Sequence, residues 1–478
     1  MTPLESNRPR RAGPVLVFIV LVLAFALGAG WYFFRGRFES QPPQVRLDPD
    51  TGVAGLAPVE IVVTDPGSGL KSVSATLVAG GVEHTLASEQ YAKPLPEKRI
   101  TLALAKLPGV KEGPAVLRII ARDASFANLF RGNEIVLEKP IAIDVTAPTL
   151  ELVADDRYIN FGGAGAIVYK SSADTASSGV KVGNDFFPGF QGVVQGHPDY
   201  FFALFAHPYN AAPDTRAVLV ATDKAGNTRE MRLAYELKNV RYKKSTIALS
   251  DKFLQNKVAP LLKDAAARQG TPKDVFVAVN KGLRKENEDR ITAITKKATP
   301  AIQWKDAFVQ LSNTKVEASF ADFRTYTYDK EPVDSAYHLG YDLAATKNYP
   351  VEAANSGTIA FAGDLGIYGN AVIIDHGLGL FSLYGHLSAI DVKVGDAVAK
   401  RQVIGKTGET GLAAGDHLHY GVYLDGVAVL PVEWWDQKWI DDNVTPKLAG
   451  RASEETARST ARDSIPGSSR AHRARRPR

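Results

Sequence analysis

The chain has 478 residues, 45% hydrophobic and 23% charged, with nine histidines and no cysteine. That length carries two to four domains, and this balance excludes a disordered chain or a polytopic membrane protein. Without cysteine, disulfides and thiolate metal sites are excluded, and the net charge of +5, partly held in the C-terminal tail, makes no case for a nucleic-acid partner.

The first predicted element is an uncharged apolar run over residues 14–34. As a helix it rises about 30 Å, the thickness of a bilayer core. Arg8, Arg10 and Arg11 precede it and place residues 1–13 in the cytoplasm, while Arg35 and Arg37 weaken the asymmetry. The expectation is an uncleaved single-pass helix in the inner (cytoplasmic) membrane, with the rest in the periplasm or extracytoplasmic space. A cleaved secretory signal ending near residues 26–30 competes with it, but the apolar run continues past that point.

From 41 to 239 the pattern is β: short β-branched runs such as VEIVVTD, SVSATLV, AVLRIIARD and AIVYK are separated by Gly, Pro, Asp and Ser clusters. A weak repeat with a period near 100 residues pairs Ser68–Ser74 with Ser178–Gly183. It also pairs VLRIIARDASFAN, ending at Asn128, with AVLVATDKAGN, ending at Asn227. Two β-sandwiches are expected, over 41–146 and 147–239. The TAPTLEL opening and the AxDxxGN end of the second resemble bacterial immunoglobulin-like domains, generic modules that fix no function.

Residues 246–299 switch to helical signals. Ser250 can cap a stripe of Phe253, Leu254, Val258, Leu261 and Leu262, which Pro260 would kink or break. Thr271, Pro272 and Asp274 have the form of a capped helix start. A helical connector that packs against its neighbours is expected, and it could also cover a groove. Residues 304–440 return to β, with DAFVQL, VEASF, GTIAFAG, NAVIIDHG, GLFSLYGHL and HYGVYL read as strands of an antiparallel sheet. Residues 449–478, rich in Arg, Ser and Ala, read as a disordered basic tail. The fold class is therefore mainly β and multidomain.

Five of the histidines (His338, His376, His386, His417 and His419) fall between 338 and 419. His417 and His419 lie two apart on a strand, so both imidazoles project from one face, about 7 Å apart. His338 and Asp342, four apart, share a face of a helix or a strand, and Gly340 between them leaves that face open. One sheet face could thus offer His338, Asp342 and His419 to a single ion. Two imidazoles and a carboxylate suit zinc and leave a fourth position for water, whose pKa falls to about 7 when bound. No HExxH helix is present to supply a glutamate base. His417 and His386 are the candidates for that work, since an imidazole titrates near neutral pH.

The blocks HLGYD, GNAVIIDHGLGLFSLYGHLS, VKVGDAVAKRQVIGKTGETG and GDHLHYGVYLDGVAVLP, in this order across residues 320–432, resemble the lysostaphin/LytM-type zinc metalloendopeptidases. FADFRTYTYDKE resembles the entry strands of that family. The resemblance implies that His338, Asp342 and His419 bind Zn2+, that His417 is the general base, and that His386 steadies the tetrahedral intermediate, alone or with His417. It implies hydrolysis of peptide cross-links between peptidoglycan stems, with a regulatory protein partner as a further expectation. A non-catalytic wall-binding protein or activator of wall amidases is the alternative, which the filling of all five positions disfavours. His376 is assigned structural duty. Asp364, Asp375 and Asp416 are read as turn residues, Asn370 and Tyr384 as groove lining, and His84, His197, His207 and His472 as ordinary.

Overall fold

The protein, seen in a computed structural model, is described over residues 13–264 and 268–451. The expectations for Arg8, Arg10, Arg11, His472 and the tail from 452 lie outside the described residues. The described chain divides into two compact units. Unit 1 runs to Ala147 and includes Asp223–Asn227, and unit 2 is Pro148–Thr222 with Thr228 onward.

The apolar run at the start forms one helix, Gly13–Phe34. It is apolar all round and leaves Leu16, Phe18, Phe25 and Leu27 exposed. Among the described residues no helix is long and apolar enough to cross a membrane. The apolar run expected over residues 14–34 thus forms a helix with nearly those bounds, Gly13–Phe34.

The rest of unit 1 is a two-sheet sandwich. One sheet holds Gln44–Asp48, Val59–Thr64 and Glu97–Leu102. The other runs in the order Val53–Ala54, Glu134–Ile143, Gly113–Asp123, Leu70–Ala79, Val82–Leu95. Strand alternation sends every second residue inward. Leu70, Val73, Ala75, Leu77, Leu117, Ile119 and Ala121 from the larger sheet thus meet Ile61, Val63, Ile100 and Leu102 from the smaller. Each fully buried Leu or Ile in that core contributes about 1.5–3 kcal/mol.

Unit 2 begins with another pair of sheets, each of four strands. One centres on Ala164–Ser171 and Phe201–Ala206, the other on Thr175–Val182 and Ala217–Asp223. The sequence repeat has a structural counterpart. Asp123 accepts from the backbone N–H of Ser125 and Asn133 and from the Asn133 amide, at 3.0, 2.7 and 2.8 Å. Asp223 makes the same clasp with Ala225 and Asn227, at 2.8, 2.9 and 3.0 Å. The counterpart of Asn227 is therefore Asn133 and not Asn128, because extra residues loop out after Asp123 in the first copy.

The connector starts later than its expected boundary at 246. Lys244–Ala248 is a strand, parallel to Asp322–Tyr328. Ser250 then caps a short helix, and the chain passes through one π turn, Leu254–Val258, and one 3-10 turn, Ala259–Leu261, where Pro260 ends it. The second helix opens on a full capping box between Thr271 and Asp274 and runs, through a π segment, to Thr295.

The C-terminal sheet has eight strands in the order Lys315–Ala318, Tyr341–Ala344, Leu418–Leu424, Leu380–Leu387, Asn370–Gly377, Gly357–Asp364, Ala397–Val398, with Val427–Val429 beside Leu418–Leu424. Its pairings are antiparallel. The expected strand DAFVQL is not one. Phe308 N–H donates to the Trp434 carbonyl and Val309 N–H to that of Ala354, so the segment's backbone bonds go to two separate places and no ladder forms. Its apolar side chains, Phe308 and Leu311, are core residues all the same.

Candidate metal centre and active site

The site is built from two sheets. His338 ends the strand Glu331–His338, which pairs with Asp322–Tyr328 in a three-stranded sheet. Asp342 and His419 belong to the eight-stranded sheet, directly opposite each other across Tyr341–Ala344 and Leu418–Leu424. The three groups therefore do not share one sheet face, as spacing alone suggests. Leu339 and Gly340 carry the chain from one sheet to the other, and that step brings His338 over the Asp342–His419 pair. Gly340 is required there: a Cβ would fall 2.5 Å from the Tyr420 carbonyl and 2.7 Å from the His419 ring.

His338 Nε2 lies 2.9 Å from Asp342 Oδ1 and 3.0 Å from His419 Nδ1, and His419 Nδ1 lies 3.1 Å from the same oxygen. Ser319 carbonyl accepts from His338 Nδ1 at 3.0 Å, so that ring presents the lone pair of Nε2 to the centre. His419 Nε2 is buried without a partner, and Nδ1 is its inward atom. Tetrahedral zinc with ligands near 2.0–2.1 Å separates its donors by about 3.3 Å. A triangle with sides near 3 Å, made of two imidazole nitrogens and one carboxylate oxygen, fits that ion with a small expansion.

Around the triangle stand three further groups. Arg324 donates to Asp342 Oδ2 at 3.0 Å, leaving Oδ1 for the centre. His417 Nδ1 donates to the Gly415 carbonyl at 2.8 Å, and its Nε2 lies 3.5 Å from Asp342 Oδ1. His386 Nδ1 donates to the Thr410 carbonyl at 2.8 Å, with its ring centroid 4.8 Å from that of His417. His386 has φ of +63°, a left-handed conformation that costs a non-glycine residue on the order of 1 kcal/mol or more. It sits where the register between Asn370–Gly377 and Leu380–Leu387 slips. This bulge turns the imidazole into the site.

Burial opposes ionisation of Asp342, but His338, with hydrogen bonds from His338, His417 and His419, outweighs it and holds the carboxyl well below the usual range. Burial pushes His419 down to about 4. Burial, then His417 and His419, pushes His386 down to about 3. His417 is the exception. Burial lowers it, but the hydrogen bond and charge of Asp342 prevail and its pKa rises. His419 and His386 thus stay neutral, Asp342 is anionic, and His417 takes up a proton more readily than a free imidazole.

All five open on one cavity of about 380 Å³. Ile247 and Ala248 from the strand Lys244–Ala248, and Leu249, Ser250, Phe253, Phe276 and Arg284 from the connector, also line it, so the connector forms part of the cavity wall. Arg324 and Tyr368 line it too and were not singled out by sequence, because a lone Arg or Tyr in a strand or a tight turn carries no spacing signal. Asn370 and Tyr384 do not line it. Asn370 donates to the Leu387 carbonyl, and the Tyr384 hydroxyl is buried, accepting from Ala354 N–H. His376 is buried between the Ser356 carbonyl and the Ser382 hydroxyl, away from the cavity. Asp375 is no turn residue: it lies buried in a strand and accepts from Thr299 and Gly377. Asp416 ties Thr407 to Asn348 N–H, and Asp364 accepts from Gly366 N–H at an exposed turn.

Residues 336–431 match the model of Peptidase family M23. The DD-carboxypeptidase/endopeptidase Mpg of Neisseria meningitidis serogroup B is 46% identical over 95 residues, 20% of this chain and 22% of that protein. The peptidoglycan DD-endopeptidase ShyA of Vibrio cholerae is 34% identical over 115 residues, 24% of this chain and 26% of that protein. The chain thus spans about a quarter or less of these curated relatives. The catalytic domain of lysostaphin from Staphylococcus simulans is 30% identical, with 26% of this chain and 92% of that one covered and a TM-score of 0.22. The two-sheet step that gathers His338, Asp342 and His419 lies inside the matched segment, and the C-terminal part of this chain is a peptidase family M23 domain of the lysostaphin/LytM type.

Proposed function

We propose that this chain is a zinc-dependent endopeptidase that hydrolyses peptide cross-links of peptidoglycan. The observation that supports this most is the convergence of His338, Asp342 and His419 at about 3 Å, with His417 and His386 in the same cavity. Zinc at that triangle would supply a Lewis acid that polarises a peptide carbonyl and makes water a nucleophile near neutral pH. Asp342 is the one anionic ligand, and Arg324 fixes which of its oxygens faces the centre. His417 takes the proton at Nε2, since its Nδ1 proton is committed to the Gly415 carbonyl. His386 is held the same way by Thr410, its ring beside that of His417, and would steady the carbonyl oxygen together with His417 once His417 has taken up the proton. The relatives named DD-endopeptidase favour DD cross-links over polyglycine bridges.

The helix Gly13–Phe34, with its apolar side chains exposed, would tether the enzyme to the inner membrane, with the M23 domain on the side of the wall. The sandwiches of 41–146 and 147–239 would act as immunoglobulin-like spacers, a reading that the shared Asp–Asn clasp favours. A protein partner that displaces the connector would admit substrate, because connector side chains line the cavity. The test is digestion of purified sacculi by the zinc-loaded chain, read by mass spectrometry. Cleaved cross-links are expected, and none with His417→Ala. Intact cross-links in the zinc-loaded sample would leave a wall-binding or amidase-activating role instead.

A further inference from the structure

Unit 1 holds a second group of converging acids, far in sequence from the histidines. Glu39 follows the N-terminal helix, Asp65 follows the strand Val59–Thr64, and Asp123 ends the strand Gly113–Asp123. Their carboxylate oxygens lie within 4.8 Å of one another. One calcium ion holds its oxygens at 2.3–2.6 Å, so three oxygens even at the full spacing would each move in by only about 0.2–0.5 Å to touch it.

The loops are shaped around these oxygens. Asp65 Oδ1 accepts from Gly67 and Gly69 N–H at 2.9 and 3.3 Å, and Glu39 Oε1 accepts from Ser68 N–H at 2.7 Å. Asp123 spends both oxygens on the Ser125 and Asn133 clasp. Gly67 keeps the space open, since a Cβ there would fall 1.7 Å from Glu39 Oε2. One oxygen is left over. Asp65 is 3% exposed, and its Oδ2 is buried with no hydrogen-bond partner, as is the Ser68 hydroxyl. The strongest influences on Asp65 are its own burial, backbone N–H groups, Glu39 and Asp123, and no cation is among them. A buried carboxylate oxygen facing two other carboxylates, with no donor of its own, is costly unless a proton or a cation sits between them.

We propose that Glu39, Asp65 and Asp123 hold a calcium ion at this end of the unit 1 sandwich. The ligands are all hard oxygens with no imidazole, which suits calcium and not zinc. The buried, unpartnered Ser68 hydroxyl, on the loop whose N–H groups bind Asp65 and Glu39, would add a neutral oxygen, and water would complete the shell through the half-buried Glu39 side. The ion would pin the segment that leaves the helix Gly13–Phe34 to the loops Asp65–Gly69 and Asp123–Asn133.

The full chain, saturated with zinc so that the histidine centre is filled, is dialysed against radioactive calcium and melted with and without 1 mM calcium. Uptake of a calcium ion that is lost in Asp65→Asn and weakened about tenfold or more in Glu39→Gln is expected, with a rise in the unit 1 melting temperature in the parent protein only. Glu39→Gln alters a half-buried side chain and keeps the test open if Asp65→Asn does not fold. No calcium uptake by the parent, or uptake unchanged in the variants that fold, overturns the proposal. So does a parent whose melting ignores calcium while Asp65→Asn melts higher, which would show a proton shared among the acids.

Discussion

Arg324 shows what a single side chain adds to the centre. Its guanidinium binds Asp342 Oδ2, so the carboxylate cannot rotate away from His338 and His419. Replacing it by Met should lower zinc affinity about 10- to 100-fold, the usual loss when a partner that orients a ligand is removed; competition with a chelator of known affinity measures it. His386→Ala should keep the metal and lose activity by about 10²–10⁴-fold, and a variant that loses zinc as well would place His386 among the ligands instead. The proposed ligands were legible in the sequence because four blocks stand in the order and spacing of the family they resemble. Arg324 was not, because the bond it makes joins two strands that only the fold brings together. His386 was legible as a candidate, but its left-handed backbone was not, since a bulge depends on the register of its neighbour strand.

Among elements, the turn at Leu339 and Gly340 decides whether the centre forms. Gly340→Ala would press a methyl group on the Tyr420 carbonyl and the His419 ring, with an overpacking cost of about 1–3 kcal/mol. Zinc content should fall even where the chain folds, and full zinc occupancy in a folded G340A protein would refute this role for the turn. The hairpin joining Leu418–Leu424 to Val427–Val429 carries a second strain, Asp425, which is 4% exposed with Oδ2 unpartnered. Burial pushes its pKa up to about 7, against the pull of Lys296. A raised carboxyl binds its proton more tightly when folded, so its stabilising contribution is complete below about pH 4 and is lost as pH rises to about 7. Asp425→Asn should remove that slope from the stability of unit 2, measured by urea unfolding at pH 5 and 8, and keep the positive φ of the turn, which Asn tolerates. A slope unchanged by the substitution would assign it to other groups. Strands with strict alternation were legible, as in Leu70–Ala79. The DAFVQL segment was not, because apolar spacing reports burial and cannot tell a ladder from a loop whose N–H groups find scattered carbonyls.

For the molecule as a whole, the second sandwich and the M23 domain form one body. Their side chains share a core, Glu433 accepts from Asn160 and from Ala164 N–H at 2.7 and 2.8 Å, and Lys447 forms a buried ion pair with Asp156. The sequence suggested separable domains here because each has its own strand pattern; contacts more than 250 residues apart leave no local trace. Zinc binding should therefore stabilise the second sandwich along with the M23 domain, and removal of zinc by a selective chelator should lower the melting of both together. Separate transitions for them, only one moved by zinc, would contradict a single body. The connector belongs to the same unit and lines the cavity with Phe253 and Phe276. The most direct test of the central claim is the zinc content of the purified chain beside His338→Ala, Asp342→Ala and His419→Ala, each checked for folding by circular dichroism. One tightly held zinc ion in the parent and none in the three folded variants is the predicted result, whereas a parent that takes up no zinc, or variants that keep it, would contradict the account.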